Sequence, residues 1–247
     1  MKKIILTSFM LFSVLAFSQE IKFGAKVGLN LSNLRGNYPT FNEQTTGADE
    51  ADLKNKSVIG FHIGGFAEFV LNEKFSVQPE LLLSKQGNKV EFTATFYEFS
   101  DGTGERDTET LTQRPKITYI NLPIMFKYKV LEKLSIEFGP QIGYVISGKS
   151  AWTFEGTDDE TEKIEIDLLK DGTYEFLGAT VLIKKGLRRL DYGLNIGASY
   201  DITEKFFLQG RYNLGLSTID DNSTIGTDTK SWDLKNSVIQ ISTGYRF

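Results

Sequence analysis

Residues 119–146 read YINLPIMFKYKVLEKLSIEFGPQIGYVI, two alternating segments that face each other across Leu131-Glu132-Lys133. In the first, Ile120, Leu122, Ile124, Phe126, Tyr128 and Val130 share one face, and Asn121, Met125, Lys127 and Lys129 the other. In the second, Leu134, Ile136, Phe138, Ile142, Tyr144 and Ile146 oppose Ser135, Glu137, Gly139, Gln141 and Gly143. Alternation with a period of two marks a strand with one apolar side, and a tight turn between two such runs makes a hairpin. The glycine pattern of the second strand returns as Phe23-Gly24…Val27-Gly28, Ile59-Gly60…Ile63-Gly64 and Tyr192-Gly193…Ile196-Gly197. The short turn returns as Leu71-Asn72-Glu73-Lys74 and Thr203-Glu204-Lys205. One hairpin, repeated, organises the chain.

Working outward, the same alternation gives strands near 21–32, 58–70, 75–92, 190–200, 206–217 and 239–247, eight in all with the first pair. Their lengths suit the roughly 9–11 residues that a tilted strand needs to cross a bilayer. The connections are unequal, three tight at one end and four long and polar at the other. That is the pattern of short periplasmic turns and long extracellular loops. An even strand number brings the two ends of the sheet together, so strands one and eight can pair and remove both edges. The sequence thus predicts an all-β protein, an eight-stranded antiparallel up-and-down transmembrane β-barrel. Residues 99–114 read as a loop on Asp101-Gly102-Thr103-Gly104. Residues 148–189 read as the longest polar region, with a hairpin of its own within 163–183 turning at Asp171-Gly172.

Composition and the first residues set the compartment. The 247 residues contain no cysteine, which excludes disulfides, thiol chemistry and cysteine metal sites. Lys2 and Lys3 precede an apolar run over residues 4–17, and Ala16-Phe17-Ser18 supplies small residues for a signal peptidase. Residues 1–18 are therefore expected to be a cleaved signal peptide, and 19–247 the outer-membrane barrel domain. Removing the two lysines from 28 basic residues leaves 26 against 32 acidic ones, a formal charge of −6. An acidic balance argues against nucleic acid as a partner, because phosphate binding needs a basic footprint.

Which face meets lipid follows from charge. The polar faces carry Lys22, Lys26, Glu68, Glu80, Lys127, Lys129, Glu137, Asp191, Asp201, Arg211 and Arg246. Such a lining would serve the apolar ligand of a soluble lipocalin-type barrel poorly, whereas paired charges can fill a closed lumen. Ten strand glycines, including Gly24, Gly64, Gly139 and Gly244, share the polar face, while Gly65 and Gly210 fall outside. An eight-stranded barrel is just wide enough inside for side chains, so small residues beside long ones indicate a plugged lumen, not a diffusion pore. Glu80, Glu137, Lys127 and Arg211 are expected to form an ion network there. Pro79, Pro123 and Pro140 lie in strands that closure makes central, and a belt of β-bulges is expected around them.

Several motifs together resemble the PorT-like outer-membrane β-barrel family of Bacteroidetes-type bacteria. They are residues 79–87 (PELLLSKQG), Tyr119-Ile120-Asn121-Leu122-Pro123, Phe138-Gly139-Pro140 and residues 211–216 (RYNLGL). The resemblance implies the cell outer membrane and an eight-stranded barrel, with a founding type tied to type IX secretion. Tyr245-Arg246-Phe247 resembles the aromatic C-terminal signal read by the outer-membrane assembly machinery. Expected partners are thus outer-membrane lipid, that machinery, and envelope or secretion proteins at the external loops.

Candidates for chemistry are few. His62 is the single histidine; Ser76, Ser84 and Glu68 match triad partners by type, but no motif fixes them. Asp158-Asp159-Glu160-Thr161-Glu162 lacks the spaced Asp/Asn-Gly pattern of a calcium loop and reads as a solvated external loop. No catalytic, cofactor or metal residues are therefore assigned. A non-enzymatic structural or interaction role through the external loops is expected. A small outer-membrane lipid-modifying enzyme using His62 or loop acids and a soluble periplasmic ligand-binding barrel stay open as alternatives.

Overall fold

A computed structural model describes residues 20–38, 48–100, 103–156, 161–220, 224–225, 228–229 and 233–247. Eight strands carry the barrel: β1 (Glu20–Arg35), β2 (Glu50–Val70), β3 (Phe75–Ser100), β4 (Thr103–Leu131), β5 (Leu134–Glu155), β9 (Leu190–Asp201), β10 (Phe206–Gly215) and β13 (Lys235–Arg246). Each pairs antiparallel with its neighbour, and β1 pairs with β13 from Gly24↔Arg246 to Arg35↔Lys235, closing the ring. The expected eight-stranded up-and-down barrel is what forms.

The outward faces are lined by Phe23, Leu29, Ile59, Leu81, Phe126, Ile142 and Ile241, all exposed. The polar faces turn inward, with Lys26, Glu80, Glu137 and Arg211 buried. A soluble barrel would invert these faces, so the lipocalin-type alternative falls. At the short-turn end the outward face closes on aromatic pairs, Phe75–Tyr128 at 4.9 Å and Phe206–Tyr245 at 4.8 Å between ring centroids. Aromatic residues at the edge of an apolar band sit at the level of lipid headgroups. Lys129 keeps its expected side, opposite the inward Ser135, and is exposed because it lines the lumen mouth at the short-turn end.

Inward glycines have two causes. An added Cβ at Gly24 or Gly244 would lie 2.2 Å from the ring of Phe66 or Phe207. At Gly64 and Gly139 it would lie 1.9 Å from a backbone oxygen of the next strand, Leu81 or Ile124. The first pair makes room for lumen side chains; the second allows neighbouring backbones to coil together. Gly65 and Gly210 are exposed, as their outward faces predict.

The bulge belt is not there. Pro123 pairs with Gln141 as counted from the turn, but the register runs unshifted past Pro79, Pro123 and Pro140. What changes is the ladder: no pairs form between Pro79↔Ile124 and Leu82↔Asn121, or between Pro123↔Gln141 and Phe126↔Phe138. Missing proline N–H groups remove bonds without inserting a residue. Register shifts occur elsewhere, between Ser57 and His62 and between Thr118 and Tyr119, towards the long-loop end.

Beyond that level four strands keep going. Val90↔Gln113 begins a β3–β4 ladder that continues to Ser100↔Thr103, so residues 103–114 are strand where a loop was expected. Alternation is weak here because the buried positions mix polar Asn88, Thr95 and Thr112 with apolar Val90 and Ala94, which hides the strand from a hydropathy pattern. Likewise β5 continues to Glu155 and pairs with β6 (Thr161–Asp167). The separate hairpin of β7 (Gly172–Phe176) and β8 (Ala179–Ile183) turns at Leu177-Gly178, with φ of 51° and 67°, not at Asp171-Gly172. Two short strands, β11 (Thr224–Ile225) and β12 (Asp228–Thr229), pair nearby in sequence. Residues 1–18, the expected signal peptide, and Asp158-Asp159-Glu160 lie outside the described residues.

Candidate functional site

The lumen is filled in layers. Nearest the short turns, Glu68 accepts from Lys127 Nζ at 2.8 Å, from Arg246 Nε at 3.2 Å and from Ser76 Oγ at 2.8 Å. Arg246 also reaches Asp201 at 2.9 Å and lies 4.7 Å over the ring of Phe207. Phe207 meets Phe66 edge-on at 5.6 Å, so two inward aromatics separate this layer from the next.

In the second layer Arg211 donates NH1 and NH2 to Glu80 at 2.9 and 2.6 Å, and Nε to Glu137 at 2.6 Å. Lys26 Nζ completes it, 2.6 Å from Glu80 and 2.9 Å from Gln209 Oε1. Each layer holds two cations and two carboxylates, so each is neutral. Buried charges persist only when paired and hydrogen-bonded, and this arrangement meets both conditions. The expected network is present, with one change. Lys127 belongs to the first layer and reaches the second only through Gln78, whose Oε1 accepts from Lys127 at 3.1 Å and whose Nε2 donates to Glu80 at 2.7 Å.

His62 lies above these layers and is fully buried. Its Nδ1 is 2.7 Å from Asn30 Oδ1 and its Nε2 2.7 Å from Ser242 Oγ. Asn30 already gives its Nδ2 to Ser84 Oγ and to Lys85 O, so Oδ1 is the acceptor and Nδ1 carries the proton. The sequence candidates form no triad: Ser84 stands opposite His62 in the β2–β3 ladder, but its hydroxyl accepts from Asn30 and Gln86, and Ser76 and Glu68 belong to the first layer. No carboxylate orients the ring. Among the described residues no cluster of three or more His, Asp or Glu side chains could hold a metal.

At the outer end, Asn236 Nδ2 bridges Asp191 at 2.7 Å and Tyr119 OH at 2.9 Å, and Ser217 donates to Asp191 at 2.6 Å. An apolar cluster caps this group: Leu34, Ile117, Tyr119, Val145, Leu187, Ile219 and Leu234. Backbone bonds seat it, including Val145 N to Arg189 O at 2.8 Å and Ile219 N to Leu234 O at 2.8 Å. Sequence reasoning missed this cap, because Leu187, Ile219 and Leu234 stand alone among polar loop residues with no periodicity to mark them.

Above the cap stands the extension of β2–β6. Its β2–β3 part is clasped by Glu91, which pairs with both Lys56 and Lys89; their hydrogen bonds hold its carboxyl well below the usual range, at about 2.

No curated protein sequence matches the chain significantly. Among solved structures it is similar to Ail of Yersinia pestis, 13% identical, covering 92% of this chain and 99% of that one with a TM-score of 0.40. It is also similar to OprG of Pseudomonas aeruginosa, 10% identical, covering 93% and 97% with a TM-score of 0.43. The family model described as outer membrane protein beta-barrel domain matches residues 17–221. With its closed ring, lipid-facing apolar band and charged, filled lumen, the chain belongs to that outer membrane protein beta-barrel domain family and is a protein of the outer membrane.

Proposed function

We propose that the protein is a non-enzymatic barrel whose transmembrane part is a closed support and whose external extension binds another component of the envelope. One observation carries this reading: the lumen is packed with its own paired side chains, while β3 and β4 run 26 and 29 residues. Crossing a bilayer takes only about 9–11. The surplus length builds a sheet of β2–β6 outside the membrane, where exposed side chains such as Asp52, Lys54 and Glu165 can meet a partner. Assistance to protein secretion is the specific form that the PorT-like motifs suggest. On the same reading, the mature chain starts at Gln19 after cleavage. Tyr245-Arg246-Phe247, at the closing seam where Phe247 N donates to Phe23 O at 2.9 Å, is what the assembly machinery reads.

The lipid-modifying alternative draws no support from His62, since both ring nitrogens are occupied by Asn30 and Ser242 inside a filled lumen. The test is cross-linking and co-purification from native outer membranes, comparing the whole protein with one in which residues 91–112 are replaced by a short turn. The shortened barrel should retain heat-dependent gel migration and lose the captured envelope protein. Capture of the same proteins by both forms would overturn the reading, as would an altered envelope acyl composition after deletion of the protein.

A further inference from the structure

The outward rows of β3 and β4 end abruptly in positive charge. On β3, the exposed Leu81 and Leu83 are followed by the exposed Lys85; on β4, the exposed Ile120 is followed outward by Lys116 and Arg114. These are the first charged side chains beyond the apolar band at the long-loop end, the level of the outer-leaflet headgroups.

Their mutual placement is costly for an isolated protein. Lys116 stands directly across the β4–β5 ladder from Lys149, and like charges in directly opposed positions repel. Lys85 pairs with Thr118, two positions along β4 from Lys116, so a third cation lies diagonally adjacent. Lys149 has Glu165 at 2.5 Å. Among the described residues Lys85, Arg114 and Lys116 have no carboxylate within 4.0 Å; Lys85 Nζ instead lies 5.1 Å over the ring of Phe61. All four cations and Glu165 line one groove of about 430 Å³, whose β2 wall is apolar and includes Ile59 and Phe61. Ile59 is 77% exposed and belongs to the lipid-facing row of β2, so the groove opens onto the membrane. The chain as a whole is acidic, at −4, so this excess of four cations over the single carboxylate of Glu165 is local.

We infer that the groove seats the phosphorylated headgroup of an outer-leaflet lipid. Lys85, Arg114 and Lys116 take the phosphate, which relieves the Lys116–Lys149 repulsion, and Ile59 and Phe61 take the first methylenes of an acyl chain. Attraction between surface cations and anionic headgroups, with apolar contact below, is the physics of such a site.

The probe is lipid A carrying its phosphates, added in neutral-detergent micelles to the full barrel and followed by native mass spectrometry and calorimetry. Binding should fall about thirtyfold in a Lys85→Gln, Lys116→Gln double variant, the effect of removing two surface cations from an anionic lipid. It should fall similarly when the same lipid is dephosphorylated. Millimolar inorganic phosphate should leave the lipid bound, because the acyl contact is part of the site. Both substituted residues are exposed, so heat-dependent migration should not change, which separates lost binding from lost folding. Equal binding by the double variant, equal binding of the dephosphorylated lipid, or displacement by inorganic phosphate would overturn the inference. So would lysine-dependent retention of an acidic envelope protein with no lipid binding, which would reassign the groove to that protein.

Discussion

Arg211 and Glu80 meet across the lumen in a bidentate pair, 131 residues apart in sequence and both buried. The pair ties β10 to β3, strands on different sides of the ring that share no ladder. Removing one member leaves the buried layer with an uncompensated charge, even though Glu80 keeps Lys26 and Arg211 keeps Glu137, at a cost of about 3–5 kcal/mol. Glu80→Gln or Arg211→Gln should therefore lower the urea midpoint of the reconstituted barrel sharply. The double variant should be less destabilised than the sum of the two. Unchanged midpoints in both single variants would show that the network does not hold the barrel together.

The inward glycines make a graded prediction. At Gly64 and Gly139 an added methyl meets fixed backbone, Leu81 O and Ile124 O, and the strands must part. Ala at either position should destabilise by about 1–3 kcal/mol, the usual range for overpacking. Gly210 has nothing within 4 Å of an added Cβ and faces lipid, so Gly210→Ala should be neutral. Denaturation of the three variants in one lipid composition checks the ranking, and equal midpoints would refute it.

How much of this was legible in the sequence depends on where alternation survives. From Phe75 to Leu83 and from Ile120 to Val130 one face meets lipid and the other a charged lumen, so apolar and polar residues alternate and mark the strand. Past Lys85 and before Arg114 polar Gln86, Asn88, Thr95 and Thr112 are buried beside Val90 and Ala94, the contrast disappears, and 26- and 29-residue strands look like loops. Proline misled for a related reason. A missing N–H signals a broken ladder bond, but sequence does not say whether the register shifts, and at Pro79, Pro123 and Pro140 it does not. The ion network was legible by type and face. Which cation meets which carboxylate was not, since that depends on heights around the ring: Lys26 lies level with Glu80, and Lys127 with Glu68.

His62 gives a prediction that separates structure from chemistry. His62→Leu would leave the Ser242 hydroxyl without its histidine partner in a buried site, and Asn30 Oδ1 with Gln240 Nε2 alone. Leaving such a group unsatisfied costs about 1–3 kcal/mol, so the barrel should unfold at lower urea while still assembling. Envelope acyl composition in cells carrying the variant should match the parent. A change in acyl composition with an unaltered midpoint would make His62 a catalytic group instead.

The hairpin of β7 and β8 turns on two residues with positive φ, Leu177 at 51° and Gly178 at 67°. Two-residue turns of this kind match the twist of the flanking strands and favour Asn-Gly. Leucine pays a steric penalty there that asparagine largely avoids, and Leu177 is half exposed, so its side chain contributes little packing in return. Leu177→Asn should therefore stabilise the hairpin, and Gly178→Val should destabilise it, because a β-branched side chain is poorly tolerated at positive φ. The hairpin stands outside the membrane-spanning strands, so neither substitution should shift the urea midpoint of the barrel. Limited proteolysis of intact cells reads the difference directly: cleavage within 172–183 should slow in the first variant and quicken in the second. Equal cleavage rates in the two variants would mean that the hairpin is held by its neighbours and not by its turn.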